Sequence, residues 1–392
     1  MNILVLGGSS NQLELILAIK KRKFKIVLVD PNENPVGKKY SDVHIREDYR
    51  NTLKIIEYVQ PYGIEACLTD QSDMALLSQN IISKELNLKH NQYSSVLNYI
   101  EKDRQLNIVN KANPKNIPTS KFFYNSSDLI EHIQVLGDKF KEFIIKPQNG
   151  QGSKGVFLIN KNNYLQKIKE AFYESNRQGI ILQEYIIGDE YSVEAFVYSK
   201  KINVLAITRK EHYKSNECLD KKNFYLNDIP LKIEESLKAK HIEIIDALGP
   251  LDGMTHAEYM VTKNGDIKLI EIAARGGGGN ISGKIIPYLT DFSPVDFLID
   301  IAIGLKPKIK FSDYKKKFVI MHFYDLNAKI KKSFTPSSYT FLLHYEFDNK
   351  KYDSLNRIND SRSRPGYFIV TGNTGKKVIQ NESLILKDSL KI

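Results

Sequence analysis

The chain has 392 residues, 42% hydrophobic and 26% charged, with 57 Lys and Arg against 46 Asp and Glu for a formal charge of +11. That length suits two or three domains with full cores, and two cysteines, Cys67 and Cys218, exclude a disulfide framework or zinc cluster and point to a reducing compartment. The lysines are scattered, with short clusters at Lys20–Lys25 and Lys315–Lys317 only, no nucleic-acid motif accompanies them and no apolar run reaches membrane-spanning length, so a cytoplasmic protein with no nucleic-acid or membrane partner is expected.

Residues 1–90 alternate strand and helix. MNILVLGG is too short for a signal-peptide core and reads as a strand, Ile3–Leu6, running into Gly7-Gly8-Ser9-Ser10. Leu13, Ile16, Leu17 and Lys20 follow at helical spacing, and Ile26–Val29 is a second strand ending at Asp30. The G-x-G-x-x-G fingerprint is absent, which leaves NAD chemistry poorly supported. Strands at Val43–Ile45 and Ala66–Thr69 with helices near 51–60 and 72–86 complete an open parallel α/β sheet, whose strand ends at Gly8, Asp30 and Asp70 mark a substrate edge.

Residues 91–120 are polar and asparagine-rich and read as a connector. Leu129, Ile130, Ile133, Leu136 and Phe140 make a helical stripe, and Phe143–Pro147 is a strand carrying Lys146 near its end. The loop Gln148–Gly155, with Gly150, Gly152, Ser153 and Gly155, leads to a strand at Val156–Ile159; such a loop offers N–H groups to phosphates and can close as a lid. A helix at 163–175, strands at Ile180–Ile186, Tyr191–Tyr198 and Ile202–Arg209, and a helix at 234–247 follow, then a hairpin, a helix at Pro294–Leu305 and, from about 311, strands near Phe318–Tyr324, Tyr339–Tyr345 and Gly366–Thr371. The stretches 209–230 and 276–292 read as loops. No repeat is visible, and no Ser/His/Asp nucleophile set can be argued from this order.

The hairpin holds the sharpest signal. Apolar runs at His256–Val261 and Ile267–Ile272 flank Asn264-Gly265, a two-residue turn signature. With those two residues as the loop, Glu258 faces Glu271, with His256, Met260, Leu269 and Ala273 as neighbours and no certain cation among them; a loop at Lys263-Asn264 would instead pair Glu258 with Leu269. Two carboxylates about 5 Å apart repel by roughly 3 kcal/mol at an effective dielectric near 20. A counter-ion is needed, and a divalent cation is the simplest. Arg275 and Gly276–Gly279 follow at the strand's end, where a fixed charge can meet an oxyanion.

Taken together, Ile145-Lys146-Pro147, Gln183-Glu184-Tyr185-Ile186, Gly188 to Glu194, His256-Ala257-Glu258 and Glu271 to Arg275 resemble the ATP-grasp superfamily, in its carboxylate–amine ligase branch of L-amino-acid ligase and biotin carboxylase relatives. The resemblance covers nearly the whole chain. It implies an α/β N-terminal open parallel sheet (1–90), an α+β ATP-grasp domain (91–310) with an ATP-binding subdomain at about 117–187 and a metal and catalytic subdomain at about 188–310, and a small β-rich C-terminal domain (311–392).

On the same resemblance, Lys146 holds the α/β-phosphates of ATP under the loop 149–155, with Lys102 as a second phosphate contact or an exposed helical lysine. Gln183 and the backbone of Glu184 and Ile186 read adenine, and Glu190 takes the ribose hydroxyls. Glu258 and Glu271 ligate Mg²⁺, or Mn²⁺ in its place, and Arg275 steadies the acyl-phosphate and the intermediate. Arg209 binds a substrate anion or ends a strand in solvent. The family's asparagine two residues past the second glutamate is here Ala273, which leaves one metal, or a second held by water or Asn280; Lys154 stands where arginine is common.

The implied reaction is ATP-dependent joining of a small carboxylic acid, with an amino acid foremost, to an amine through an acyl-phosphate, releasing ADP and phosphate. Two alternatives stay open: a bicarbonate-using carboxylase of the purine or biotin type, and a degenerate nucleotide-binding protein. A homodimer is compatible with all three.

Overall fold

The computed structural model describes residues 1–391 except 151, 177, 307, 311–316, 327 and 349–357; Lys315 and Lys316, and Gln151 of the glycine-rich loop, lie outside the described residues. The first sheet is parallel in the order β3-β2-β1-β4, from β1 (Asn2–Leu6), β2 (Lys25–Val29), β3 (Val43–Ile45) and β4 (Ala66–Leu68). Its strands are continuously apolar because both faces are covered. Ile3, Val5, Ile26 and Leu28 pack on α1 (Leu13–Lys21) and on Val295 and Ile299, while Leu4, Leu6, Val27 and Val29 pack against α2 (Thr52–Val59) and α3 (Asp73–Glu85).

The expected connector at 91–120 is instead two helices, α4 (Tyr93–Ile100) and α5 (Lys102–Ala112). Val96, Tyr99, Leu106 and Val109 are their buried positions, a helical spacing that the surrounding asparagines hide.

The second sheet runs β5-β8-β6-β7, from β5 (Ser120–Phe123), β6 (Phe143–Pro147), β7 (Phe157–Ile159) and β8 (Ile180–Glu184). One face is buried under α6 (Ser126–Leu136) and α7 (Tyr164–Glu174) through Ile145, Ile180 and Leu182. The alternate residues Lys146, Ile181 and Gln183 lie on the other face, and Ile181 joins the core of the third sheet.

That third sheet has eight strands in the order β13-β12-β9-β10-β11-β14-β16-β15. It contains β9 (Asp189–Tyr198), β10 (Lys201–Tyr213), β11 (Asn216–Tyr225), β12 (Gly253–Val261) and β13 (Ile267–Ala273), and it continues through β14 (Phe318–Phe323), β15 (Leu342–Phe347) and β16 (Gly366–Gly372). The stretch 209–230 expected as loop is thus mostly the β10–β11 hairpin, and 276–292 holds a π-helical turn (Ile281–Ile285) and α9 (Ile286–Thr290). Helix α8 (Leu231–Leu248) packs on one face, and the π turn, α9 and α10 (Pro294–Ala302) lie against the other. The C-terminal strands extend this sheet and carry a helix the sequence reading did not foresee, α11 (Gly375–Ser389), across β14 and β16. No helix among the described residues is long and apolar enough to cross a membrane.

Candidate active site

Glu258 and Glu271 do face each other, by a route different from the one expected. Gly265 N donates to Thr262 O and Thr262 N to Asp266 O, each 2.9 Å, and Gly265 sits at φ +85°. The loop is therefore the three residues Lys263-Asn264-Gly265, and Val261 pairs with Ile267, Met260 with Lys268 and Tyr259 with Leu269. A bulge at Ile270 then inserts one residue and restores the register to Glu258–Glu271, Ala257–Ile272 and His256–Ala273. The bulge also moves Leu269 to the opposite face, where it is fully buried with Tyr259; the expectation that it neighbours the carboxylates is wrong. The Ile270 carbonyl, freed from the ladder, accepts from Lys146 Nζ at 3.0 Å.

Three cations meet this pair. Lys102, in the first turn of α5, donates to Gly150 O at 2.7 Å and lies 3.3 Å from Glu271 Oε1. Lys210 contacts Glu258 directly and lies 2.8 Å from Glu190 Oε1. His256 places Nδ1 2.5 Å from Glu194 Oε1 and Nε2 3.5 Å from Glu258 Oε1. Lys210 lies two residues past Thr208 on the same face of β10 and reaches Glu258 diagonally, past the small Ser192 that stands between Glu258 and Thr208. The repulsion that called for a divalent ion is thus already offset by protein cations, and the sequence reading missed them because it could not see which strands lie beside β12.

Burial and these charges set the titrations. Burial, then the neighbouring Lys102 ammonium, lower Lys146 to about 8 against the pull of Glu271 and Glu258. For Lys210 burial opposes the charge, yet Glu190 and Glu258 outweigh it and hold the ammonium well above its ordinary value. Burial likewise works against His256, but Glu194 and Glu258 raise it to about 9. Burial would raise Glu258; Lys210 and His256 keep it well below the usual carboxylate range.

The donor set fits Mg²⁺ with help. Two carboxylates face each other on the side where Lys146 arrives, and the hard oxygen chemistry is what Mg²⁺ takes. Among the described residues no set of three or more His, Cys, Asp or Glu could hold a metal, so phosphate oxygens and water would complete the shell. Ala273 faces His256. Asn280, in a left-handed conformation, donates to Tyr367 Oη at 2.7 Å, and its Oδ1 is buried with no hydrogen-bond partner among the described residues.

Gln183 lies on the same face of the second sheet as Lys146, buried, with its amide 3.0 Å from Ser120 Oγ. The N–H of Glu184 donates to Thr119 O at 2.8 Å; its side chain is exposed and Ile186 is half-buried beyond the strand end. Both oxygens of Glu190 are engaged, Oε1 by Lys210 and Oε2 by His212 Nε2 at 2.8 Å.

In the loop, Gly150 O accepts from Lys102, Gly152 O accepts from Ser361 N at 3.0 Å, and Lys154 pairs with Glu174. Ser153 is left-handed at φ +59°. Gly155 is required where it stands: at φ +72° a Cβ would meet Pro147 Cγ at 2.8 Å and Glu174 Cβ at 2.9 Å.

Arg275 is held by Asp73 of α3, Nε to Oδ1 at 2.9 Å and Nη2 to Oδ2 at 3.1 Å, and donates from Nη1 to Gly276 O at 3.0 Å. Two of its five N–H donors are left by these contacts. Arg209 is not at a strand end as expected but lies within β10, half-buried, with Asp228 3.4 Å away and its guanidinium 5.1 Å from the Phe224 ring centroid. The strand-end carboxylates of the first sheet serve the protein: Asp30 accepts from Gly8 N at 2.7 Å, and Asp70 accepts from Gly276 N at 3.0 Å and from the Ser282 hydroxyl. Lys210, Glu194, Asp73 and Ser361 were not foreseen. For Glu194 a signal existed, since Glu190, Ser192 and Glu194 alternate onto one strand face.

The chain thus sets a parallel α/β sheet, a second sheet that carries Lys146 and the glycine-rich loop, and a larger sheet whose facing Glu258 and Glu271 lie beside that lysine. The sequence profile of the ATP-grasp domain matches residues 140–284. The phosphoribosylamine–glycine ligase of Methanosarcina barkeri is 22% identical over 397 residues, covering 91% of this chain and 88% of that one. The crystal structure of an L-amino acid ligase from Bacillus licheniformis superposes with a TM-score of 0.78 at 15% identity, covering 99% of this chain and 97% of that one. The biotin carboxylase domain of the Hydrogenobacter thermophilus 2-oxoglutarate carboxylase, in complex with MgADP, ADP and bicarbonate, gives 0.76 at 15% identity, covering 99% and 90%. Further biotin carboxylases and N5-carboxyaminoimidazole synthetases share the fold. Residues 140–284 thus match the ATP-grasp domain, and the chain as a whole is similar in fold to carboxylate–amine ligases and carboxylases of that superfamily.

Proposed function

We propose that the protein transfers the γ-phosphoryl of ATP to a carboxylate and passes the resulting acyl-phosphate to a nucleophile, with ADP and phosphate as products. The observation that carries this reading is the Glu258–Glu271 pair set in register beside buried Lys146 under the glycine-rich loop. Glu258 and Glu271 would hold a divalent cation, which would supply charge neutralisation as the phosphoryl moves. The rest is done by the chain. Lys146 and Lys102 bind and orient the phosphates, and the loop's N–H groups cover them and exclude water. The carboxylate oxygen attacks the γ-phosphorus and the bond to ADP breaks. The nucleophile then attacks the acyl carbon, phosphate leaves with the former carboxylate oxygen, and the two remaining N–H groups of Arg275 stabilise the oxyanion.

The acid can be read two ways. The amine-ligase reading, with an amino acid as substrate, is supported by the names of the Methanosarcina and Bacillus relatives. The bicarbonate reading has the better support, because carboxylases recur among the solved relatives. Phosphate release from MgATP, measured with bicarbonate alone and with pooled amino acids and amines in bicarbonate-free buffer, separates them; mass spectrometry then identifies the product. Release that needs bicarbonate and no organic acid selects the carboxylase, and the converse selects the amine ligase. No release under either condition would sink both.

A further inference from the structure

The proposed reaction makes no use of Lys210, which stands in the middle of a row of alternating charges. Glu194 meets His256 at 2.5 Å, His256 lies 3.5 Å from Glu258 Oε1, Lys210 contacts that same Glu258 oxygen and lies 2.8 Å from Glu190 Oε1, and Glu190 Oε2 lies 2.8 Å from His212. The row crosses β12, β9 and β10, and only 5% of the Lys210 side chain is exposed. Glu194 is fully buried, and Gly277 leaves room for the histidine, since a Cβ there would meet His256 Nδ1 at 2.8 Å. The row is therefore built into the floor of the site. One ammonium ties together the two carboxylates read above as metal ligand and ribose partner.

The geometry points to Lys210 as a positioning residue that stands in for the divalent cation at Glu258 in nucleotide-free protein, and so couples metal binding to nucleotide binding. A cation entering beside Glu258 meets a carboxylate already neutralised and a fixed positive charge next to it. Both weaken its attraction. Arriving phosphates give the ammonium other anionic partners and free Glu258 for metal. Each ligand then raises the other's affinity by the same factor. This inference rests on Glu258 and Glu271 being the metal ligands.

The test is Mn²⁺ binding followed by electron paramagnetic resonance, without nucleotide and with saturating ADP, in the wild type, Lys210→Met and Lys210→Arg. Without nucleotide, Lys210→Met should bind Mn²⁺ about tenfold more tightly or better, the size of effect seen when groups around a metal site are altered. The gain in Mn²⁺ affinity on adding ADP should shrink toward none, and Lys210→Arg, which keeps the charge, should behave as wild type. Unchanged or weaker nucleotide-free binding by Lys210→Met overturns the inference. Should that variant fail to fold, since it strands buried carboxylates, the double variant Lys210→Met/Glu190→Gln removes one of them and must show the same tightening. Absence of Mn²⁺ binding by wild type even with ADP would instead overturn the metal-ligand reading, so the two failures are distinguishable.

Discussion

Lys146 donates its Nζ proton to the carbonyl of Ile270, the one residue of β13 that the bulge leaves off the ladder. The contact ties the phosphate lysine of the second sheet to the carboxylate strand of the third, alongside the packing of Ile181 into the third sheet's core and the Lys102 bridge from Gly150 to Glu271. The ammonium is buried there beside the Lys102 ammonium, which is why its proton is weakly held.

Lys146 should bind nucleotide in its charged form and titrate near 8 without it. Phosphate placed beside it favours the ammonium, so ATP binding at pH 8 should take up about half a proton, and affinity should fall as the pH rises above that value. Calorimetry in two buffers of different ionisation enthalpy measures the uptake. Lys146→Ala should weaken ATP binding and abolish the uptake; unchanged nucleotide affinity would remove its phosphate role.

Glu271→Gln should abolish most turnover while leaving the fold intact. Loss of one hard-oxygen ligand forfeits several kcal/mol of charge stabilisation, a fall in kcat of about 100-fold or more. Steady-state phosphate release together with an unchanged circular dichroism spectrum checks it, and near-normal activity would count against the metal assignment.

Gly155→Ala should destabilise the protein by about 1–3 kcal/mol through its left-handed backbone and the contacts a Cβ would make. The same change should raise KM for ATP more than it lowers kcat, because the loop it distorts covers the phosphates. Chemical denaturation and ATP-dependent kinetics measure the two effects.

His241 makes acid stability predictable. It is fully buried, with Tyr259 Oη 2.9 Å from Nδ1 and Thr255 Oγ1 3.0 Å from Nε2, and burial pushes it down to about 3. The unfolded chain takes that proton near 6.5 and the folded chain near 3, so the unfolded state binds more protons between the two. Stability is then full above about 6.5 and falls as the pH drops, by at most ~1.4 kcal/mol per pH unit. Urea midpoints between pH 7 and 4 check this, and His241→Gln should flatten the slope by one proton.

Much of this was legible in the sequence, for physical reasons that differ by region. The doubly covered parallel strands announce themselves as unbroken apolar runs, and Lys146 stands near the end of the antiparallel strand β6, beside a glycine-rich loop. The opposition of Glu258 and Glu271 was also legible, although a three-residue loop and a bulge had to cancel for the two-residue reading to reach it. Helices α4 and α5 were hidden by asparagines on their solvent sides, and β11 by the lysines and acids that alternate with its buried Leu219, Asn223 and Tyr225. Lys210 was out of reach altogether. Its role depends on β9 lying between β12 and β10 with a serine in the row, a fact of sheet order that no local pattern encodes.

The most direct test of the phosphoryl-transfer account follows one oxygen atom. Enzyme, MgATP and the acid that supports turnover, with its carboxylate (or freshly dissolved bicarbonate) labelled with ¹⁸O, should yield ADP and inorganic phosphate carrying a single ¹⁸O from the acid, read by mass spectrometry. Unlabelled phosphate, or AMP and pyrophosphate in place of ADP, would contradict it.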